Sequence, residues 1–503
     1  MSRELTAIVI VGGGTAGWMA AASMAHYLRG KPVTITLIES SAIGTVGVGE
    51  ATLPGIRNFN ASLGIDELEF IRATQATFKL GIEFKDWHRL GESFMHPFSG
   101  AGVNLSGVGF HHHYNRARQQ GLDIGSYDDY CFSAQMAKQN RFAQPQVPPV
   151  NALADYKYAF HFDAIAYANF LKQRAVSQGV QAIDAKVVDV GLHSDDGSIQ
   201  HVTLDTGLQI AGDFFIDCSG FRGLLIEQAL QTGYDDWSHW LPVDSAVAVA
   251  TSPSASPTPY TRTTARTGGW QWRIPLQRRV GNGYVYCSQW LSDDQAREDL
   301  LSNLDAAPVS TPKTLKFTTG KRRKFWHKNC VALGLASGFL EPLESTSIAL
   351  IQTGLSRLLQ FFPVNGVVPE EVDEANRLFS LEMERIRDFL ILHYYASKRD
   401  DGEIWRYCRT MSIPDTLQKK IALFRSRGHL INFELESFDN NSWLAIYNGF
   451  RFEPKLYDLA ADQLPIPLLE KQLNGMRESI QQGASGAMSH AAFIAKHCAV
   501  SLA

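Results

Sequence analysis

Two carboxylates and two hydroxyls crowd into one short stretch of this chain, Glu341-Pro-Leu-Glu344-Ser345-Thr346. An apolar, strand-like run from Val331 to Leu333 enters the glycine-marked loop that carries them, and an apolar segment from Ile348 onwards leaves it. The exit reads as the opening of a buried helix, with Ser345 or Thr346 as its cap. A helix start presents unpaired N–H groups and partial positive charge, which suits an anion. A carboxylate beside an anion-binding turn is an unusual pairing unless something cationic passes between them. On its own, Glu344 reads as an ordinary solvated or capping acid.

A second constellation lies at the amino-terminal end. Ala7-Ile-Val-Ile-Val11 is a β-branched run suited to a buried parallel strand, and it meets Gly12-Gly13-Gly14-Thr15-Ala16-Gly17 followed by an alanine-rich helix from Trp18 to Leu28. This is Gly-x-Gly-x-x-Gly with a strand before it and a helix after. Gly12 allows the tight turn, Gly14 lets a pyrophosphate approach the backbone, and Gly17 lets helix and strand pack. A second strand, Val33 to Ile38, ends at Glu39, where a ribose-binding acid belongs. The motif points to a dinucleotide without choosing between FAD and NAD. The glycine-rich loop Gly44 to Pro54, which contains Gly49-Glu50-Ala51, is expected along the same cofactor, with Pro54 opening a helix.

The elements that must position these residues follow in order. A helix is expected from Asp66, with Asp66 and Glu69 as a capping box, ending at Lys79-Leu80-Gly81. That puts Lys79 in a last helical turn, where a cation suits the dipole. Residues 91–150 are rich in Gly, His, Pro, Asn and Gln with interleaved aromatics, a weakly patterned insertion of the kind that covers a substrate. His111-His112-His113 offers no ligand spacing, so no metal site is expected. A helix from Asp163 stops at Gly179, and turns at Asp196-Gly197 and Thr206-Gly207 punctuate a meander. The run Asp213 to Asp217 leads as a return strand into Gly220. That order (βαβ, meander, return strand) matches flavoproteins of the hydroxylase type and, by fold analogy, favours FAD. Residues 243–330 alternate as a second, antiparallel sheet, with Trp270, Trp272 and Ile274 on one face. Lys321-Arg-Arg-Lys324 reads as a solvated strand end, and the chain beyond 363 as mostly helical.

Composition narrows the setting. The chain has 503 residues, 45% hydrophobic and 19% charged, which is enough for two or three cooperating domains. A net charge of −4 implies neither nucleic acid nor an acidic membrane as partner. Six scattered cysteines without Cys-x-x-Cys spacing fit free thiols in a reducing compartment. The apolar stretch Leu5 to Leu28 is interrupted by three glycines and reads as strand–turn–helix rather than a signal peptide. With no run long enough to span a bilayer, the expected location is cytoplasmic.

Taken together, these motifs resemble the FADH2-dependent halogenases of the tryptophan halogenase family nearly end to end. The resemblance is carried by the Gly12–Gly17 fingerprint, Gly47-Val-Gly-Glu-Ala-Thr52, Phe78-Lys79-Leu80-Gly81, Trp270-x-Trp272-x-Ile274-Pro275 and Glu341-Pro-Leu-Glu344-Ser-Thr346. It implies an α/β fold: a Rossmann-like FAD-binding domain of the flavin hydroxylase type, an antiparallel sheet region and a mostly helical C-terminal substrate region. The expected boundaries are 1–90, 151–222 and 315–362 for the FAD domain. Residues 91–150 and 223–314 would be covering elements, and 363–503 the helical region.

The resemblance also implies an activity. FADH2, O2 and chloride or bromide would give hypohalous acid, which reaches Lys79 through a tunnel and halogenates an indole-like aromatic. Lys79 would present the halogen, and Glu344 would stabilise the cationic ring and take its proton. Gly12, Gly14, Thr15, Ala16, Gly17, Glu39, Gly49, Glu50, Ala51, Gly334 and Leu335 would hold FAD. Thr346 and Ser347 would hold the halide, Trp270 and Trp272 would shield the flavin, and His96, Phe98 and Trp443 would contact substrate. A separate flavin reductase would supply FADH2, and a homodimer is left open. Two departures stand out: Ser347 replaces a glycine after the threonine, and Ser442-Trp443 stands where the tryptophan enzymes carry a tyrosine pair. The second favours free indole or a larger indole-bearing substrate over tryptophan. A flavin hydroxylase and a non-catalytic flavin-binding protein are the alternatives. Gly334-Leu335-Ala336 counts against the hydroxylase, which carries Gly-Asp at that place.

Overall fold

The β-branched run Ala7–Val11 forms the buried parallel strand expected of it, paired with Thr34–Glu39 on one side and Phe214–Asp217 on the other. The computed structural model describes residues 5–43 and 50–500. These fall into two compact units, each built from three stretches of chain.

The first unit comprises residues 1–76, 162–239 and 316–383. Its six-stranded sheet runs in the order Trp326–His327, Cys330–Ala332, Phe214–Asp217, Ala7–Val11, Thr34–Glu39, Gln181–Asp184. All neighbours are parallel except the first two, which form a hairpin. Helices Thr15–Tyr27 and Ala164–Ser177 pack against each other. The second starts where the sequence places it, because the Asp163 carboxylate accepts from the N–H groups of Ile165 and Ala166. The expected meander is present as Val187–Leu192, Ile199–Leu204 and Gln209–Ala211. Its inward side chains Val187, Ile199, Val202 and Leu204 join Val9, Val11 and Phe215 in one core.

The second unit comprises residues 77–161, 240–315 and 384–503. Its sheet has seven strands, ordered Lys313–Lys316, Ser245–Thr251, Val280–Tyr286, Gly269–Pro275, Thr261–Arg266, Gly81–Lys85, Ser93–Pro97. Thr261–Arg266 and Gly81–Lys85 are parallel, and the pairs on either side of them are antiparallel. This pairing moves the first domain boundary from the expected 90 to 76, since Gly81–Lys85 and Ser93–Pro97 belong to the covering sheet. It also makes the helical C-terminal region part of the same unit rather than a separate one. The chain passes from the first unit to the second within the 27-residue helix Pro369–Tyr395.

Three further expectations are corrected. The helix from Asp66 ends early: it spans Glu67–Thr74, and Gln75 closes it in the left-handed conformation at φ 57°. Lys79 therefore lies in a strand, Thr77–Lys79, and not in a last helical turn. The insertion 91–150 holds regular structure, including helices Phe110–Gln119 and Phe132–Lys138. The basic run is only half solvated: Lys321 and Arg322 are buried, ion-paired to Asp235 at 3.0 Å and Glu227 at 2.7 Å. All six cysteines are free and buried. Among the described residues no helix is long and apolar enough to cross a membrane, and no group of metal-ligating side chains gathers.

Candidate active site

In the first unit, the turn after Ala7–Val11 is shaped for a close backbone approach. Gly12 sits at φ +114°, and a Cβ there would lie 2.1 Å from the Cys218 carbonyl oxygen. A Cβ at Gly17 would strike the Gly12 carbonyl oxygen at 1.8 Å, so the helix rests directly on the strand end. The 13-residue helix Thr15–Tyr27 begins at Gly14 with no side-chain cap. Its first-turn N–H groups, including those of Ala16 and Gly17, are thus left for a ligand. Gly334, at φ +61°, brings the Gly334–Ala336 turn against the same helix start, where its Cβ would stand 2.8 Å from that of Ala16, and the neighbouring Leu335 is exposed. A glycine cradle at an uncapped helix start fits an FAD pyrophosphate.

Glu39 ends its strand as expected. Its carboxylate accepts from the Trp18 indole at 3.1 Å and from the Lys172 ammonium at 2.5 Å, which holds the acid in place at the strand end. Burial pushes the Glu50 carboxyl up to about 7. Ala51 follows it, and Gly49 lies outside the described residues. Asp217, at the end of the return strand, accepts from the N–H groups of Ser219, Leu225 and Ile226 and so holds the turn that faces Gly12.

The Glu341–Thr346 stretch is buried except at Pro342, which is half-buried. Glu341, Glu344 and Thr346 are each 0% exposed. Pro342–Glu344 forms one tight turn, and Ser345 takes a left-handed conformation at φ 61°, an unusual backbone for a residue with a side chain. The 14-residue helix Ser347–Gln360 then starts at Thr346 without a side-chain cap, and the buried Thr346 hydroxyl oxygen has no hydrogen-bond partner among the described residues. A helix start with an orphaned buried hydroxyl beside it is a place for a small anion.

The second unit carries Lys79. It is 0% exposed, and its ammonium lies 5.1 Å from the centroid of the Phe98 ring. Its strand pairs with Ala159–Phe162, Thr77 opposite His161 and Lys79 opposite Ala159, so Thr77, His161 and Lys79 share a face. The Thr77 hydroxyl has one hydrogen, which it donates to the Pro275 carbonyl at 2.6 Å. Its 3.1 Å bond with His161 Nδ1 is therefore donated by the imidazole. Burial, and then the charge of Lys79, hold His161 well below the usual imidazole range. The ring is neutral, and its Nε2 accepts from Thr261 Oγ1 at 2.9 Å. His490 is also buried and neutral, lowered to about 4 by burial. Its Nδ1 donates to the Pro257 carbonyl at 2.8 Å and its Nε2 accepts from the Phe78 N–H at 3.2 Å.

Trp270 and Trp272 point to one face of their strand, with ring centroids 6.1 Å apart. Trp270 donates its indole N–H to the Tyr394 hydroxyl at 3.0 Å. Trp272 lies flat over Gly283 of the neighbouring strand, where a Cβ would come within 2.0 Å of the ring. His96 is buried against Phe389 and Phe438 at 5.8 and 6.2 Å. Phe98 keeps part of its surface open. Trp443 does not: the Lys420 ammonium sits 4.2 Å from its centroid and Phe389 meets it at 5.0 Å, so it is a packed wall and not an open ring face. Within their units the structure thus brings together Gly12, Ala16, Gly17 and Gly334, and separately Lys79 with Phe98 and Trp270 with Trp272. Sequence reasoning missed Thr77, His161, Thr261 and His490; no spacing marks them, because each acts across the fold.

A family model described as tryptophan halogenase matches residues 7–465. The tryptophan 6-halogenase SttH of Streptomyces toxytricini is 36% identical over 445 residues, covering 84% of this chain and 84% of its own. Among solved structures, BrvH, a flavin-dependent halogenase from Brevundimonas sp. BAL3, superimposes with a TM-score of 0.95 at 45% identity, covering 98% of this chain and 99% of its own. Xcc4156, a flavin-dependent halogenase from Xanthomonas campestris, gives 0.95 at 43% identity with full coverage of both chains, 100% and 100%.

Proposed function

The chain belongs to the tryptophan halogenase family and is a flavin-dependent halogenase, and on that footing we propose how its own residues divide the work. Reduced FAD, delivered by a separate flavin reductase and held against the Gly12–Gly17 turn and Gly334, supplies the electrons with which dioxygen and chloride or bromide become hypohalous acid and water. Thr346 and Ser347 hold the halide at the uncapped start of Ser347–Gln360. Lys79 receives the hypohalous acid by hydrogen bonding and presents its electrophilic halogen to an aromatic carbon. Glu344 stabilises the cationic ring that results and removes its proton. Trp270 and Trp272 wall the substrate from the flavin, and His96 and Phe98 contact the ring.

The observation that carries this reading is the fully buried Lys79 on a strand held from both sides. An amine in that setting is desolvated and fixed, as a group that handles a reactive oxidant must be. The substrate is an indole-type aromatic. Ser442 and Trp443, on the helix Asn440–Gly449, supply no tyrosine clamp for an amino-acid head, so free indole or a larger indole-bearing molecule fits better than tryptophan.

The test is turnover with FAD, a flavin reductase, NADH, oxygen, and chloride or bromide, offered indole and L-tryptophan side by side. The expected product is halogenated indole, with Lys79→Ala and Glu344→Gln both inactive and flavin affinity changed by no more than about threefold. A product that gains oxygen and no halogen would support a hydroxylase instead. Two variants that behave like the parent would support a flavin-binding protein without this chemistry.

A further inference from the structure

The strand Thr77–Lys79 pairs with Ala159–Phe162 along one edge, and among the described residues no strand follows it on the other. An edge leaves backbone N–H groups without a ladder partner, and in a buried place each of these needs an acceptor. The Phe78 N–H points out of that edge. Its acceptor is not a backbone carbonyl but the imidazole of His490, at 3.2 Å. His490 is the first residue of the helix His490–His497, which Ser489 caps by accepting from the Ala492 N–H. Its own N–H is anchored on the Asn140 carbonyl at 2.9 Å.

The imidazole is held in one tautomer. The Pro257 carbonyl can only accept, so Nδ1 carries the hydrogen and Nε2 presents its lone pair to Phe78. Two residues further along the same segment, the Pro259 carbonyl accepts from the Leu80 N–H at 2.7 Å. Lys79 is thus bracketed: the amide before it ends on His490 and the amide after it on Pro259. The Phe78 ring locks the arrangement by stacking on Phe142 at 4.1 Å and meeting Phe493 edge-on at 5.3 Å.

We propose that His490 is a positioning residue for halogen transfer: by standing in for the missing neighbour strand, it fixes the backbone from which the Lys79 side chain projects. The inference rests on the role given to Lys79 above. Displacement of a reacting group by about 1 Å can cost about a hundredfold in rate, and a side-chain acceptor on an otherwise open edge is where such slack would arise. His490 takes no part in making hypohalous acid. Its loss leaves that product forming and lets it escape unused.

The experiment compares parent, His490→Leu, His490→Gln and Lys79→Ala holoenzyme, with FAD, reductase, NADH, bromide and indole. Halogenated indole is measured together with free hypobromous acid, trapped by an added β-diketone. In His490→Leu, which keeps bulk but offers no acceptor, bromoindole falls about tenfold or more. The sum of trapped acid and product stays within about twofold of the parent, and the indole KM is unchanged. His490→Gln, whose side-chain oxygen can accept from Phe78, recovers at least about half of the lost product. If trapped acid and product fall together in His490→Leu, the residue only supports folding and the proposal is overturned. Bromoindole at the parent level in His490→Leu overturns it equally. Parent-level bromoindole from Lys79→Ala would instead sink the role of Lys79 itself, which is a distinguishable failure. Should His490→Leu not fold, amide hydrogen exchange of the 77–80 segment in His490→Gln decides: protection kept with product kept supports the proposal, and protection kept with product lost refutes it.

Discussion

Acid should unfasten the second unit through His490, and the size of the effect follows from its surroundings. The imidazole is lowered from 6.5 to about 4 by burial. Its Nε2 lone pair is committed to Phe78, so protonation both charges a buried ring and breaks that bond. Between these two values the unfolded chain binds a proton that the folded chain does not, so stability rises with pH across that window and falls as acid is added. At about 1.4 kcal/mol per unit, the single ring removes about 2 kcal/mol near pH 5 and about 3 kcal/mol once the pH is below both values. With a guanidinium slope of about 4 kcal/mol per molar, the loss near pH 5 is a midpoint shift of about 0.5 M. His161, lowered well below its usual range, and His111, lowered to about 4, add acid sensitivity of their own. The informative quantity is therefore the difference between the parent and His490→Gln, which keeps the acceptor and cannot titrate. Guanidinium unfolding at several pH values between about 5 and 8 should give stability curves that shift against each other, the parent losing about 2 kcal/mol more than His490→Gln as acid is added. If they stay parallel over that range, His490 is not a neutral buried imidazole and the reasoning fails.

Gly12→Ala places a methyl 2.1 Å from the Cys218 carbonyl at a left-handed position; FAD affinity, followed by flavin fluorescence quenching, should weaken by about tenfold or more, and thermal stability should drop. Thr346→Val removes a buried hydroxyl without a hydrogen-bond partner among the described residues. It should stabilise the halide-free protein by about 1 kcal/mol in chemical unfolding while raising the halide KM several-fold, and a rise in KM without the gain in stability would argue against an orphaned donor. Glu50, whose carboxyl burial pushes up to about 7, gains negative charge as pH rises through neutrality. FAD affinity measured by titration should fall over that interval and become flat in Glu50→Gln.

The nucleotide-binding half of the molecule was legible because its signals are local. Gly12, Gly14 and Gly17 lie within one turn, Glu39 ends the next strand, and Asp163 caps its own helix, so each requirement is met by near neighbours in sequence. The helix start near Thr346 was readable for the same reason, although neither Ser345 nor Thr346 supplies the expected side-chain cap. Lys79 was recognised by motif, yet its secondary structure was misread, because Gln75 ends the helix in a conformation that ordinarily calls for glycine or asparagine. What fixes its strand lies far off: His161 is 84 positions from Thr77, and His490 is 412 from Phe78. No periodicity announces a histidine that serves a distant edge. The run Lys321–Lys324 misled in the opposite sense, since Lys321 and Arg322 are buried against Asp235 and Glu227, acids contributed by another segment.

The dependence of the Lys79 strand on a side chain 412 positions downstream of Phe78 has a consequence for biosynthesis. A ribosome emits the strand that carries Lys79 hundreds of codons before its fastener. Throughout that interval the Phe78 N–H has no imidazole to end on, so the edge of Thr77–Lys79 closes only after residue 490 has emerged.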